Sequence, residues 1–139
     1  MPFGPNKKLI LLILGSGEKK YIEDLKSLSD KLKSEKKRVI FHKSVSNDKL
    51  KYYYSIADLG VWYQASISII EAMATGLPII ATNNRGHREL IDDGINGFLV
   101  PDNDPTYFAK KIEDIISSKA IQKNFRMNSL NVINKYSEE

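Results

Sequence analysis

Residues 59–82 read Leu59-Gly-Val-Trp-Tyr-Gln-Ala-Ser66-Ile-Ser-Ile-Ile-Glu71-Ala-Met-Ala-Thr-Gly76-Leu-Pro78-Ile-Ile-Ala-Thr82, and this segment decides the fold. A short apolar run, Leu59–Tyr63, reads as a strand. The stretch from about Ser66 to Thr75 reads as a buried helix, with Gly76 stopping it and Pro78 beyond. Ile79–Thr82 is then a second strand. Two buried strands joined by a helix make a βαβ crossover, which sets the strands parallel.

The same alternation extends outward in both directions. Leu9–Leu14 reads as a fully buried strand ended by Gly15-Ser16-Gly17. From Lys19 to about Glu35, Ile22, Leu25, Leu28 and Leu32 recur at helical spacing among lysines and acids. Arg38–His42 is another strand, and Asn47 or Asp48 can cap a helix carrying Leu50, Tyr53, Tyr54 and Ala57. Downstream, His87–Ile91 is a short helix, Phe98–Val100 a fifth strand, and the chain from Asp104 onward is helical. The fold class is therefore α/β: a Rossmann-like parallel sheet of about five strands with helices on both faces. Residues 1–139 are expected to form a single domain, with 1–8 a tail or the remnant of a longer chain and 119–139 a C-terminal helix.

Composition narrows the chemistry. At 139 residues, 42% apolar and 27% charged, the chain suits one hydrophobic core. Its longest apolar run, Leu9–Leu14, falls far short of the roughly 20 residues of a membrane span. No secretory leader is recognisable after Met1, so a cytoplasmic location is expected. The absence of cysteine removes disulfides, thiol catalysis and cysteine-ligated zinc. With His42 and His87 alone, a histidine-rich metal site is also excluded, and no cofactor is assigned. The net charge of +4 comes mainly from lysines. Lysine without clustered arginine and exposed aromatics argues against nucleic acid. It leaves either a solvated surface or one that meets anionic ligands or lipid headgroups, including the inner face of a membrane.

Three segments carry candidate chemistry. Gly15 and Gly17 stand where a strand hands over to a helix. They suit either a phosphate approaching backbone amides or simply a tight turn, and Lys20 stands where a dinucleotide fingerprint has its third glycine. Glu71 is a carboxylate on a helix of apolar and small residues, just after the carboxyl edge of the sheet where α/β proteins bind ligands. It can accept hydrogen bonds from vicinal hydroxyls such as those of a ribose, while free amides near Ser66–Ser68 can meet a diphosphate. Equally, Ser68-x-x-Glu71 fits a capping box in which Glu71 serves the Ser68 amide. In Asn83–Glu89, Arg85 and Arg88 can pair with phosphate and Glu89 can accept a hydroxyl, or the segment is a polar loop and helix start. His87 reads as a surface or capping histidine. Asp92-Asp93-Gly94-Ile-Asn96-Gly97 lacks the spacing of a calcium loop and reads as a turn. Trp62 and Tyr52–Tyr54 read as core and helix-packing residues.

Taken in order, E-A-M-A-T-G-L-P-I-I-A-T and R-G-H-R-E-L-I-D-D-G-I-N-G-F-L-V resemble the carboxyl-terminal domain of retaining glycosyltransferases of family 4. L-I-L-L-I-L-G-S-G resembles that family's strand and G-x-G turn, and the Tyr52–Asp58 stretch its Y-x-x-A-D helix. The similarity covers roughly Leu9 to Ile116. It implies one half of a GT-B architecture, an enzyme of polysaccharide biosynthesis, a nucleotide-diphosphate sugar as donor, and no metal in the active site. It further implies donor contacts at Gly15, Gly17, Ser66, Ile67, Ser68, Glu71, Gly86 and Glu89, with Glu71 on the ribose. No catalytic residue is assigned.

There are departures from the family pattern. Tyr63 stands where the first Glu of E-x₇-E belongs, and the stretch between Asp58 and Glu71 is short. Lys43 replaces the glycine of the F-x-G turn. The opening strand and helix and the amino-terminal acceptor domain are missing. The resemblance implies transfer of a sugar to a saccharide or lipid-linked acceptor in a complete enzyme. The alternative is a non-catalytic nucleotide-sugar-binding or partner-binding subunit.

Overall fold

The computed structural model describes residues 8–137 except 16, 33 and 35. Most of the expected tail (residues 1–7) and the last two residues of the expected C-terminal helix lie outside the described residues. Five strands alternate with helices: β1 Leu9–Leu14, α1 Lys19–Leu32, β2 Lys37–His42, α2 Asn47–Ile56, β3 Gly60–Trp62, α3 Ser68–Ala74, β4 Ile79–Thr82, α4 Arg85–Leu90, β5 Gly97–Val100, α5 Pro105–Ile116 and α6 Lys119–Ser137. Every strand pairing is parallel, as the crossovers dictate. The pairings form two ladders, β1–β2 and β3–β4–β5. The chain divides correspondingly into two compact units, Met1–Lys49 and Leu50–Glu139.

In the first unit β1 and β2 run in register from Leu9 opposite Lys37 to Leu14 opposite His42. The expectation of a fully buried β1 is corrected here: Ile10 is 64% and Leu11 52% exposed. A strand is buried only when both faces are covered and both edges paired. Among the described residues β1 pairs with β2 and with no other strand. Lys26 Nζ lies 5.8 Å from the centroid of the Phe41 ring, holding α1 to β2 by a cation–π contact.

The second unit holds the core. β4 lies between β3 and β5, with all four residues buried. Alternation along a strand sends successive side chains to opposite faces. Ile79 and Ala81 join Ile69, Ala72, Met73, Leu77 and Ile91 on one face. Ile80 joins Phe98, Val100, Ile115 and Phe125 on the other. A strand walled in on both faces must read as the unbroken apolar run Ile-Ile-Ala. The Asp92–Gly97 segment is the expected turn. The Asn96 side chain, 1% exposed, accepts from the Asp92 amide at 2.7 Å and donates to the Leu90 carbonyl at 2.9 Å. Asn128 and Ser129 of α6 donate to the Ile95 and Asn96 carbonyls and tie the last helix to this turn.

Candidate nucleotide-sugar site

The carboxyl ends of β3 and β4 carry two short segments that meet. In α4, a Cβ on Gly86 would sit 3.0 Å from the Ala65 Cβ, so glycine at 86 lets the β3–α3 loop lie against the first turn of α4. Ser66, Ile67, Ser68, Glu71 and Gly86 are thereby gathered along one edge, with Glu89 exposed farther along α4. Gly15 and Gly17 belong to the other unit, at the carboxyl end of β1. The Gly15 amide donates to His42 O at 3.1 Å, and Ser16 between them lies outside the described residues. A Cβ at Gly17 would make only ordinary contact with Ile22, so no close approach explains glycine there.

The capping box is not formed. α3 has Ile67 at its N-cap with no side-chain cap, and the Ser68 amide donates instead to Ser66 Oγ at 3.2 Å. The Glu71 carboxylate therefore has no capping role. It is half-buried and accepts no hydrogen bond among the described residues. A carboxylate without a partner at the ligand edge of a parallel sheet is a ready acceptor for hydroxyl groups. Of the amides expected to be free, that of Ser68 is occupied; those of Ser66 and Ile67 meet no acceptor among the described residues.

Behind this edge lies a polar network absent from the sequence reading, which gave Trp62 and Tyr54 to the core. Trp62 Nε1–H donates to Ser68 Oγ at 2.9 Å, and Ser66 Oγ lies 2.9 Å from Ser68 Oγ. The Tyr54 and Trp62 rings are 6.1 Å apart. Burial pushes the Tyr54 phenol above its ordinary value of 10.0; a hydrogen bond with Ser68 opposes this and the Glu71 charge adds to it. Tyr54 lies in the Tyr52–Asp58 stretch that resembles the family's Y-x-x-A-D helix.

α4 begins at Asn84, whose side chain accepts from the His87 amide at 2.8 Å. His87 is fully buried rather than at the surface. Its Nδ1 donates to the Thr82 carbonyl at 2.8 Å, binding the helix to the end of β4, and its Nε2 has no partner. Arg88 is held by Asn83, through contacts at 3.3 Å and 3.1 Å to its carbonyl and side-chain oxygens. Arg85 is exposed with no such contact among the described residues. Of the two arginines, Arg85 is thus the one available to an anion.

Glu71 lines neither of two cavities found in this unit among the described residues. One of about 470 Å³ is bounded by Tyr63, Thr82, Pro101, Asp104 and Phe108 at the carboxyl ends of the strands. The other, of about 400 Å³, lies at their amino ends beside Lys119, Lys123 and Arg126. Among the described residues no group of three metal-ligating side chains occurs, and no helix is long and apolar enough to cross a membrane.

Fold and motifs define a Rossmann-like α/β half-domain. The model of the family described as Glycosyl transferases group 1 matches residues 5–132, and the chain belongs to that family. EpsD of Bacillus subtilis is 51% identical over 49 residues, 35% of this chain and 13% of that protein. The crystal structure of Anabaena Alr3699/HepE in complex with UDP-glucose superimposes with a TM-score of 0.79 at 24% identity, covering 95% of this chain and 37% of the other. The C-terminal domain of the glycosyl transferase group 1 family protein LpcC from Francisella tularensis gives 0.76 at 17% identity, covering 94% and 86%. The chain thus spans well under half of the full-length relatives and most of an isolated C-terminal domain.

Proposed function

We propose that this chain is the donor-binding domain of a glycosyltransferase that moves a sugar from a nucleoside-diphosphate sugar to a saccharide or lipid-linked acceptor. Glu71 carries the reading: it is half-buried, accepts no hydrogen bond among the described residues and has no capping duty, so its carboxylate can take the two ribose hydroxyls. The amides of Ser66 and Ile67 and the guanidinium of Arg85 face the diphosphate. They stabilise its growing negative charge as the glycosidic bond breaks, which is electrostatic transition-state stabilisation. Gly86 keeps these segments together, and Glu89 offers a second acceptor for a donor hydroxyl.

In the complete enzyme an amino-terminal acceptor domain supplies the facing wall, and the lysine-rich surface suits work at the cytoplasmic face of a membrane. Tyr63, 61% exposed where the family pattern has its first Glu, favours the second reading, a donor-binding subunit without transfer activity.

The test is an NMR titration with uridine and guanosine diphosphates. With one wall present, affinity in the millimolar range, about −4 kcal/mol, is expected. Amide shifts should concentrate in residues 66–71 and 85–89. Shifts confined to other parts of the Leu50–Glu139 unit, or none at all, would overturn the assignment.

A further inference from the structure

We propose that Trp62 is a positioning residue for nucleotide binding: its indole N–H fixes the Ser66–Ser68 turn that faces the diphosphate. This rests on the donor-binding reading above and names the device that shapes the site. The N-cap of the turn, Ile67, provides no side-chain acceptor, and the Ser66 hydroxyl takes that part by accepting the Ser68 amide, so the orientation of the turn depends on what holds the two serine hydroxyls.

Trp62 is built to impose it. Its indole lies over Gly60, where an added Cβ would collide with the ring and would come within 2.8 Å of Leu77 Cδ2. Tyr54 supports the ring from α2, at a 6.1 Å centroid distance and an interplanar angle of 48°. So clamped, Nε1–H donates to Ser68 Oγ at 2.9 Å, and Ser68 Oγ reaches Ser66 Oγ at 2.9 Å. Ser66 Oγ in turn accepts the Ser68 amide at 3.2 Å. An indole nitrogen can only donate, so Ser68 Oγ must accept there, and its single hydrogen is left for Ser66 or Tyr54. One donor on β3 therefore holds Ser68 Oγ in place, and through it the Ser66 hydroxyl that receives the Ser68 amide. The residue touches no ligand itself.

Trp62 is the chain's single tryptophan, so one indole N–H resonance reports the contact without ambiguity. The 139-residue protein is titrated with uridine diphosphate as wild type, Trp62→Phe, Ser68→Ala and the double variant. In the wild type the indole resonance should move on nucleotide addition, and in Ser68→Ala it should be displaced before any is added. Trp62→Phe keeps an aromatic ring and should weaken binding about fivefold, the scale of one neutral hydrogen bond. The double variant should bind no worse than Ser68→Ala alone, because the two residues act through one contact. If Trp62→Phe does not fold, Ser68→Ala and the indole shifts carry the test. An unmoved indole resonance, unchanged affinity in Trp62→Phe, or additive losses would overturn the positioning role. Such an outcome together with lost binding in Glu71→Ala would leave the donor-binding reading standing. No nucleotide binding by the wild type would overturn both.

Discussion

Replacing Glu71 by alanine separates a ligand-binding carboxylate from a helix-capping one. In the folded chain Glu71 accepts no hydrogen bond, and the Ser68 amide is already served by Ser66 Oγ, so truncation strands no donor. Position 71 lies in the first turn of α3, where alanine gains a few tenths of a kcal/mol in propensity and a favourable charge at the N-terminal end is lost. The two nearly cancel, and the melting temperature should move by roughly a degree. Binding is affected differently. Two hydroxyl-to-carboxylate hydrogen bonds, discounted for the half-exposed setting, are worth about 2 kcal/mol together. At about 1.4 kcal/mol per decade that is roughly a thirtyfold loss of affinity for uridine diphosphate. Glu71→Gln, which keeps the acceptor and removes the charge, should fall between. Calorimetry or NMR titration gives the affinities, and a thermal melt gives the stability. A melting temperature lowered by several degrees with unchanged nucleotide affinity would refute the reasoning, because Glu71 would then be a structural cap.

Gly76 has φ +81°, and a Cβ there would lie 2.6 Å from Arg126 Cγ, so Gly76→Ala should cost about 2 kcal/mol in urea denaturation. Adding Arg126→Ala should recover only the steric share; full recovery would mean the backbone is unstrained. Asn96→Ala leaves the Asp92 amide and the Leu90 carbonyl without their partner, and a loss of roughly 2–4 kcal/mol is expected. A loss below about 1 kcal/mol would place solvent in the turn. Because the folded Tyr54 phenol ionises at higher pH than the unfolded one, its contribution to stability is complete below pH 10.0 and falls as pH rises beyond it. Tyr54→Phe should therefore lessen the alkaline loss of melting temperature, and an identical alkaline profile would contradict that. Sugar transfer requires donor and acceptor held together with water excluded, so the 139-residue chain alone should release sugar to no acceptor in a radiolabel assay; measurable turnover would show that one wall suffices.

The order and kind of the elements could be read from the sequence because they depend on local pattern. Ile79-Ile-Ala-Thr82 is apolar throughout because β4 is walled on both faces, and Gly76 with Pro78 marks the end of α3 without reference to anything distant. Glu71, too, was recognisable as a lone carboxylate at the ligand edge. Its role was not: a capping box and a ribose acceptor have the same spacing. Only the folded turn, in which Ser66 Oγ takes the Ser68 amide, removes the capping box. The burial of β1 was misjudged for a related reason. Six apolar residues specify a strand, but burial depends on which layers and neighbours come to cover it, and β2 alone pairs with it. His87 and Trp62 complete the contrast. A histidine buried to hold the end of β4 and an indole aimed at a serine six residues on have no periodicity to betray them. Pattern reports which side chains leave water, whereas hydrogen-bond partners are set by directions in space that exist only once the chain has folded.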